Sequence, residues 1–424
     1  MLQRDIVQPE VEAENVRKVR QPKSFDRFRC IGADCEDTCC VGWGIPVDQE
    51  TYDKYQNYPH RIGDKALSSL VEINSARSST RNFAKIRLEE ATCPALHKDL
   101  CSIQQALGES YLPDLCSTYP RVLNAIGNAV ERSLDVSCPE AARLVLDPGA
   151  TVFHEGSEER LPNRSGSLNL IAGDPNDRLY QIRTLLIELI QERSLQLWQR
   201  IVCLGFAIDR LAGVDLARAV PILENYLKSL RQGSLDGIFT DLKADPAFQM
   251  ETVLDLVVAR IGTDYTSPRF LECYKDFMRG LAWTPESTME QLADRYDLSS
   301  QSIFLPFVRR HEHMLENYLV NYIFGTVFPY RSRLLDRKFA IDSSRESMRH
   351  SFVLLAVHYA IIRAMLIGMA ALHRDNLSTH HVVKLVQSYS KTFLHSTSFE
   401  AAAIEYLEKN VGDPARKVAE LVMD

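Results

Sequence analysis

From about residue 176 onward, apolar side chains recur at the three- and four-residue spacing of a helix face. In DRLYQIRTLLIELIQE, Ile182, Leu185, Leu186, Leu189 and Ile190 fall on one stripe. Asn176 or Asp177, following Pro175, supplies an N-cap. Similar stripes predict helices near 195–211, 217–231, 250–261, 287–295, 312–327, 346–372, 377–394 and 398–424. No alternating strand pattern and no fixed-period repeat runs through this part. It reads as one large helical domain, 176–424.

One stretch, SFVLLAVHYAIIRAMLIGMAAL from Ser351 to Leu372, has the length and apolarity of a bilayer span. Arg363 and His358 sit near its centre, where each is costly in hydrocarbon. A buried core helix, and no membrane, is the expectation.

The pattern upstream differs. Residues 1–22 are polar and mixed in charge, and read as an N-terminal arm without the apolar stretch of a secretory signal. A cytoplasmic location follows as an expectation. Residues 23–146 break into short segments between Gly and Pro turns, as in GADCEDTCCVGWGIPVD. Such segments bury little apolar surface by themselves, so a bound metal would supply folding energy. Residues 147–175 are turn-rich and polar, and read as a linker or surface loop. The fold class is mainly α, with an irregular cysteine-rich, metal-binding N-terminal region ahead of a large helical domain.

Composition narrows the classes. With 45% hydrophobic and 25% charged residues among 424, the chain is globular, not disordered or low-complexity. Its net charge of −7 argues against a protein that works by coating nucleic acid or anionic membrane.

The ten cysteines change the picture most. Eight of them (Cys30, Cys35, Cys39, Cys40, Cys93, Cys101, Cys116 and Cys138) crowd the N-terminal third, leaving only Cys203 and Cys273 elsewhere. In a reducing compartment such crowding reads as metal binding, not as a disulfide framework. Thiolates suit zinc, iron–sulfur clusters or copper. None of the spacings is the CxxC of a four-cysteine zinc site, and no ferredoxin run is present. The ligands therefore converge from separate loops. They fill either two zinc sites or one cluster with supporting thiols, and spacing leaves the metal open. Neighbouring side chains diverge, so one of Cys39 and Cys40 is expected to be a ligand and the other a packing thiol. Cys203 and Cys273 read as core thiols.

At these residues a resemblance emerges. FRCIGADCEDTCCVGWGIPVD, CPALHKDLCSIQQALGESYLPDLCSTYPR (Cys93 to Arg121) and ERSLDVSCPEAARLVL (Glu131 to Leu146) resemble segments of the flagellin lysine methylase family. The first two also resemble the broader CxxCxxCC zinc- or iron-chelating domain. HMLENYLVNYIFGTVFPYR (His313 to Arg331) resembles the family's helical C-terminal region, and VQSYSKTFLHSTSF (Val386 to Phe399) does so more loosely.

The resemblance implies a protein-lysine N-methyltransferase acting on surface lysines of flagellin or another protein. It implies S-adenosylmethionine as donor and a [4Fe-4S] cluster, with zinc as the alternative, held by the eight cysteines. Cys35, Cys39, Cys101 and Cys116 rank first as ligands because both resemblances include them. No glycine-rich nucleotide loop is evident; Gly42-Trp43-Gly44 reads as a turn around the metal. Trp43 is a cofactor-binding candidate, expected to pack over that metal, with holding a cation as the other reading. Arg121 is a candidate to neutralise the cluster or bind the donor's carboxylate. Methylation also needs a neutral amine, against a lysine reference pKa of about 10.4. In ENYLVNY, Asn317, Tyr318 and Tyr322 are candidates to line the lysine pocket and act on the amine; the other reading is a helix interface with buried amide hydrogen bonds. His311-Glu312-His313 and His380-His381 point to different sides of a helix and read as solvated turns. Two rival classes stay open: a non-catalytic structural zinc-binding interaction protein, and an iron–sulfur redox or sensor protein.

Overall fold

Helix starts in this chain are set by short polar side chains. Asp48, Asp215, Asp245, Thr288 and Ser344 each accept a hydrogen bond from a first-turn backbone N–H of the helix that follows. The computed structural model describes residues 16–75, 80, 82–160, 168–171, 177–234, 236–240, 242–263, 265–330, 341–409 and 414–424. The start of the arm, residues 161–167 and 172–175 of the 147–175 segment and the candidate cap Asn176 lie outside the described residues. Asp177 occupies a cap position but makes no side-chain cap. Its carboxylate accepts instead from Arg20, with Nη2 at 2.7 Å from Oδ2.

The C-terminal region is helical, as the stripes predict, and the molecule is mainly α. Its helices include Arg178–Ile190, Leu197–Leu211, Leu216–Arg231, Pro246–Ile261, Met289–Ser299, Leu305–Gly325, Arg345–His373 and Thr379–Phe393. The stripe at 398–424 is two helices, Thr397–Lys409 and Pro414–Val422. A helix not anticipated, Pro268–Gly280, packs against Arg345–His373. Among the described residues one helix, Arg345–His373, has the length and apolarity of a membrane span, and its apolar stretch is wholly buried within the protein. Arg363 at its centre is held by the Asp424 carboxylate at 2.9 Å and the Tyr296 hydroxyl at 2.9 Å. A buried guanidinium persists only when paired in this way.

A five-stranded sheet flanks these helices. Its strands are β1 (Val16–Pro22), β2 (Arg121–Ile126), β3 (Ala129–Leu134), β4 (Phe153–Arg160) and β5 (Leu168–Ile171), in spatial order β4-β1-β3-β2-β5. β1 thus comes from the expected arm, and β4 and β5 from the expected linker. All are joined through backbone hydrogen bonds, which need no alternating side-chain pattern. β4 and β5 are edge strands, and the polar run FHEGSEER is what an edge strand exposed on one side permits. Arg183 locks the helices onto this sheet: Nη2 meets Glu131 Oε1 on β3 at 2.5 Å, with both side chains out of solvent.

Among the described residues two larger apolar cores form, beside a small cluster of Leu123, Ala125 and Val130 on the sheet. The smaller gathers Ile45, Val47, Tyr55, Leu67, Leu70, Val71, Ala84, Ile86, Cys93, Ala95, Ile103 and Leu112. The larger takes Phe28, Leu134, Val136, the helix Pro139–Leu146 and the whole C-terminal bundle. The division expected at residue 146 therefore falls earlier in the packing: the end of the cysteine-rich region belongs to the helical core.

Candidate functional site

Five cysteines line one cavity in the smaller core. Cys39 and Cys40 stand in the turn before an isolated bridge from Val41 to Thr92. The Cys93 N–H donates to the Cys40 carbonyl at 2.8 Å, which brings the second cysteine segment against the first. Cys101 caps the helix Ser102–Leu107, and Cys116 lies within Asp114–Thr118. Cys39, Cys40, Cys93, Cys101 and Cys116 face the cavity together with Trp43 and Tyr119. Contrary to the divergence expected of neighbours, Cys39 and Cys40 both face it. The Cys40 thiol donates to the Cys39 sulfur, which brings Cys39 down to about 7 and pushes Cys40 up. Burial raises the Cys93 and Cys101 thiols, and neighbouring backbone N–H groups partly offset the rise.

This donor set fits a thiolate-held cluster. Hydrogen bonds to sulfur are one of the means by which proteins tune such a cluster. A tetrahedral zinc ion would draw its thiolates to within roughly 4 Å of one another, given Zn–S bonds near 2.3 Å. Among the described residues no three Cys, His, Asp or Glu side chains gather closely enough to hold a single ion.

Cys30, Cys35 and Cys138 form a second group. Cys138 occupies the N-cap position of the helix Pro139–Leu146 without a side-chain cap bond; burial pushes it up to about 12, with Cys35 and Cys30 adding to the rise. Of the four cysteines ranked first as ligands, the structure unites Cys39, Cys101 and Cys116. It places Cys35 with the other group and brings in Cys40 and Cys93.

The cysteine turn is clamped by the C-terminal bundle. Lys391 Nζ lies 2.8 Å from Asp37 Oδ1 and donates to the Thr38 carbonyl, while Gln387 Nε2 donates to Asp37 Oδ2 at 2.8 Å. Gly42, at φ +97°, lies flat against the Tyr265 ring, which a Cβ would overlap. The Gly42-Trp43-Gly44 segment is the expected turn, and the Trp43 Nε1–H donates to the Cys39 carbonyl at 2.7 Å.

Trp43 also bridges to groups that the sequence reading did not single out. Its ring is 4.9 Å from Tyr119 and 5.9 Å from His395, centre to centre. His395 Nε2 lies 3.1 Å from Asp135 Oδ2. Asp135 Oδ1 accepts the Ser137 N–H at 2.9 Å, and the Ser137 and Tyr119 hydroxyls are 2.9 Å apart. Burial opposes the Asp135 charge, but His395 and the bonds from Ser137 outweigh it and hold the carboxyl well below the usual range. Both residues lie inside segments already noted for their resemblance, ERSLDVSCPEAARLVL and VQSYSKTFLHSTSF, yet nothing in either segment pairs them.

The helical candidates lie elsewhere. Asn317 donates to the Asp147 carbonyl at 2.7 Å and accepts from the Thr151 hydroxyl at 2.9 Å, which is the buried-amide alternative. Tyr322 packs 5.7 Å from His358, and His358 Nδ1 lies 2.7 Å from the Tyr389 hydroxyl. Tyr318 is buried in the same core. Arg121 stacks over Phe28 at 5.0 Å. None of Asn317, Tyr318, Tyr322 and Arg121 lines the cysteine cavity. The His311 and His313 rings stand 6.2 Å apart, and His380 and His381 likewise.

Residues 183–417 match the family model for the FliB lysine N-methylase C-terminal domain. A lysine-N-methylase of Salmonella typhimurium is 34% identical over 143 residues, 32% of this chain and 35% of the relative. One from Salmonella choleraesuis matches to the same extent. The flagellar biosynthetic protein FliU of Salmonella muenchen is 33% identical over 143 residues, 32% of this chain and 82% of that relative. The match thus spans about a third of the length of the two lysine-N-methylases. No solved structure matches the chain. With more than half of its length accounted for by that model, the chain belongs to the FliB lysine N-methylase family.

Proposed function

We propose that this protein transfers methyl groups from S-adenosylmethionine to lysine side chains of a protein, with flagellin the first candidate, and that its cysteine cavity holds a [4Fe-4S] cluster. The names of its relatives support the lysine chemistry. The observation that carries the cluster is the convergence of Cys39, Cys40, Cys93, Cys101 and Cys116 on one cavity clamped against the family domain. These five are the ligand pool; Cys30, Cys35 and Cys138 are supporting thiols.

When bound, the cluster would order the cysteine loops, and an iron left open by the thiolates would offer a site for the donor's amino and carboxylate groups. Around it the chain supplies aromatic surface. Trp43 and Tyr119 border the cavity, and aromatic faces attract a cationic sulfonium. Exclusion of water between them strengthens that attraction and lowers the pKa of an approaching ammonium. Lys391 is committed to Asp37 and so holds the loop in place.

The test is an anaerobic preparation analysed for iron, sulfide and zinc per chain, followed by mass spectrometry of flagellin incubated with S-adenosylmethionine. About four irons and four sulfides, with lysines gaining methyl groups, are expected. One or two zincs without sulfide in protein kept from air would overturn the cluster.

A further inference from the structure

Methyl transfer to lysine needs an acceptor for the ammonium proton. The cysteine cavity offers no free one: its thiols form the ligand pool, and the Tyr119 hydroxyl is hydrogen-bonded to Ser137. Beside Trp43, with its ring centre 5.9 Å away, stands His395. We propose that His395 is the base that takes this proton through Nδ1, with Asp135 as its positioning residue; the assignment rests on the methyl-transfer reading.

Five observations support it. Asp135 Oδ2 sits 3.1 Å from Nε2. A carboxylate there accepts the Nε2–H, fixes the tautomer and leaves the Nδ1 lone pair to receive a proton. Asp135 is itself fixed by the Ser137 N–H at 2.9 Å and by the turn that its carbonyl makes with the Cys138 N–H. The His395 side chain is 33% exposed, so a lysine on another protein can reach it without opening the core. The Trp43 ring 5.9 Å away offers a face for the substrate's ammonium and alkyl stem. Finally, the two partners come from β3's end and from the loop after Thr379–Phe393, so the dyad stands where the sheet, the cysteine turn and the family domain meet.

The step balances simply. The substrate ammonium gives one proton to Nδ1, and Asp135 stabilises the imidazolium. The freed nitrogen pair forms a bond to the donor's methyl carbon, and the carbon–sulfur bond breaks with its pair going to sulfur. The products are a methylated ammonium and S-adenosylhomocysteine. The proton on His395 passes to water before the next turnover.

The test uses the holoenzyme with purified flagellin and isotopically labelled S-adenosylmethionine. His395→Ala is expected to lower kcat by about 100-fold or more, the usual scale for a lost base. KM for flagellin and iron per chain should stay close to wild type, and added imidazole should restore much of the rate. His395→Gln, which keeps an amide for Asp135, should be as slow. A readout independent of turnover is the ring itself: 15N spectra of labelled histidine should show His395 as the Nε2–H tautomer, mixed in Asp135→Asn. A kcat within threefold of wild type in both His395 variants, a loss that imidazole does not relieve, or an Nδ1–H tautomer would each overturn the assignment. A wild-type enzyme that methylates neither flagellin nor lysine-rich peptides would remove the underlying reading and this assignment with it.

Discussion

Cys93 and Cys138 illustrate what one side chain can and cannot announce. Both were visible in the sequence as candidate ligands, because thiols crowded into one third of a chain have few other uses. Their sorting was not visible. It depends on the Cys40 carbonyl accepting from the Cys93 N–H and on Cys138 standing at a helix start beside Cys35 and Cys30. Cys93→Ser and Cys116→Ser are therefore expected to lose most of their iron, whereas Cys138→Ser should keep it; iron and sulfide per chain decide. The dyad was harder to see. Asp135 and His395 belong to segments far apart in the chain, and an isolated histidine after a helix carries no spacing signal. Conversely, Asn317 looked chemical because it lies among tyrosines. Its amide instead ties Leu305–Gly325 to the Asp147 carbonyl.

Helices announced themselves better than strands. Arg345–His373 was legible because an apolar run around Arg363 has one economical solution: bury the run and pair the charge. Pro268–Gly280 was missed because its buried face is only Phe270, Cys273 and Phe277 amid charged neighbours. β1, β4 and β5 were missed because backbone pairing, not side-chain alternation, places them, β4 and β5 at the sheet's edges and β1 inside β4. The two helices that pack most intimately do so through glycine. A Cβ at Gly280 would overlap the Gly368 carbonyl, and one at Gly368 would overlap Phe277. Since overpacking a tight contact costs typically 1–3 kcal/mol, Gly280→Ala is expected to lower the unfolding free energy by about 2 kcal/mol or more, measured by urea denaturation. Gly213, at φ +78° with open space around its Cα, is the control for backbone strain without a clash.

The molecule as a whole has one large apolar core and a much smaller one around the cysteine cavity. The larger core gathers most of the chain's buried side chains. Among the described residues the smaller has a dozen fully buried apolar side chains between Ile45 and Leu112, so the proposed cluster would add directly to its folding free energy. Stripping the metal with a chelator should speed hydrogen exchange across residues 45–112 while leaving Arg345–His373 protected; uniform loss of protection would show a single cooperative unit. This division was partly legible, since turn-rich cysteine segments differ visibly from helical stripes. Its true boundary was not, because Pro139–Leu146 packs by its apolar face onto helices far along the chain.

The clamp on Asp37 carries a consequence for the order of manufacture. The loop bearing Cys35, Cys39 and Cys40 is held by Gln387 and Lys391, which leave the ribosome some 350 residues later than Asp37 does. Domains fold as units in the order of synthesis, yet this one cannot close when its own cysteines emerge. Its thiols wait, reduced and open, until Thr379–Phe393 arrives. A cluster bound in the proposed site would then be delivered to the finished polypeptide, with the last helices as the latch that closes behind it.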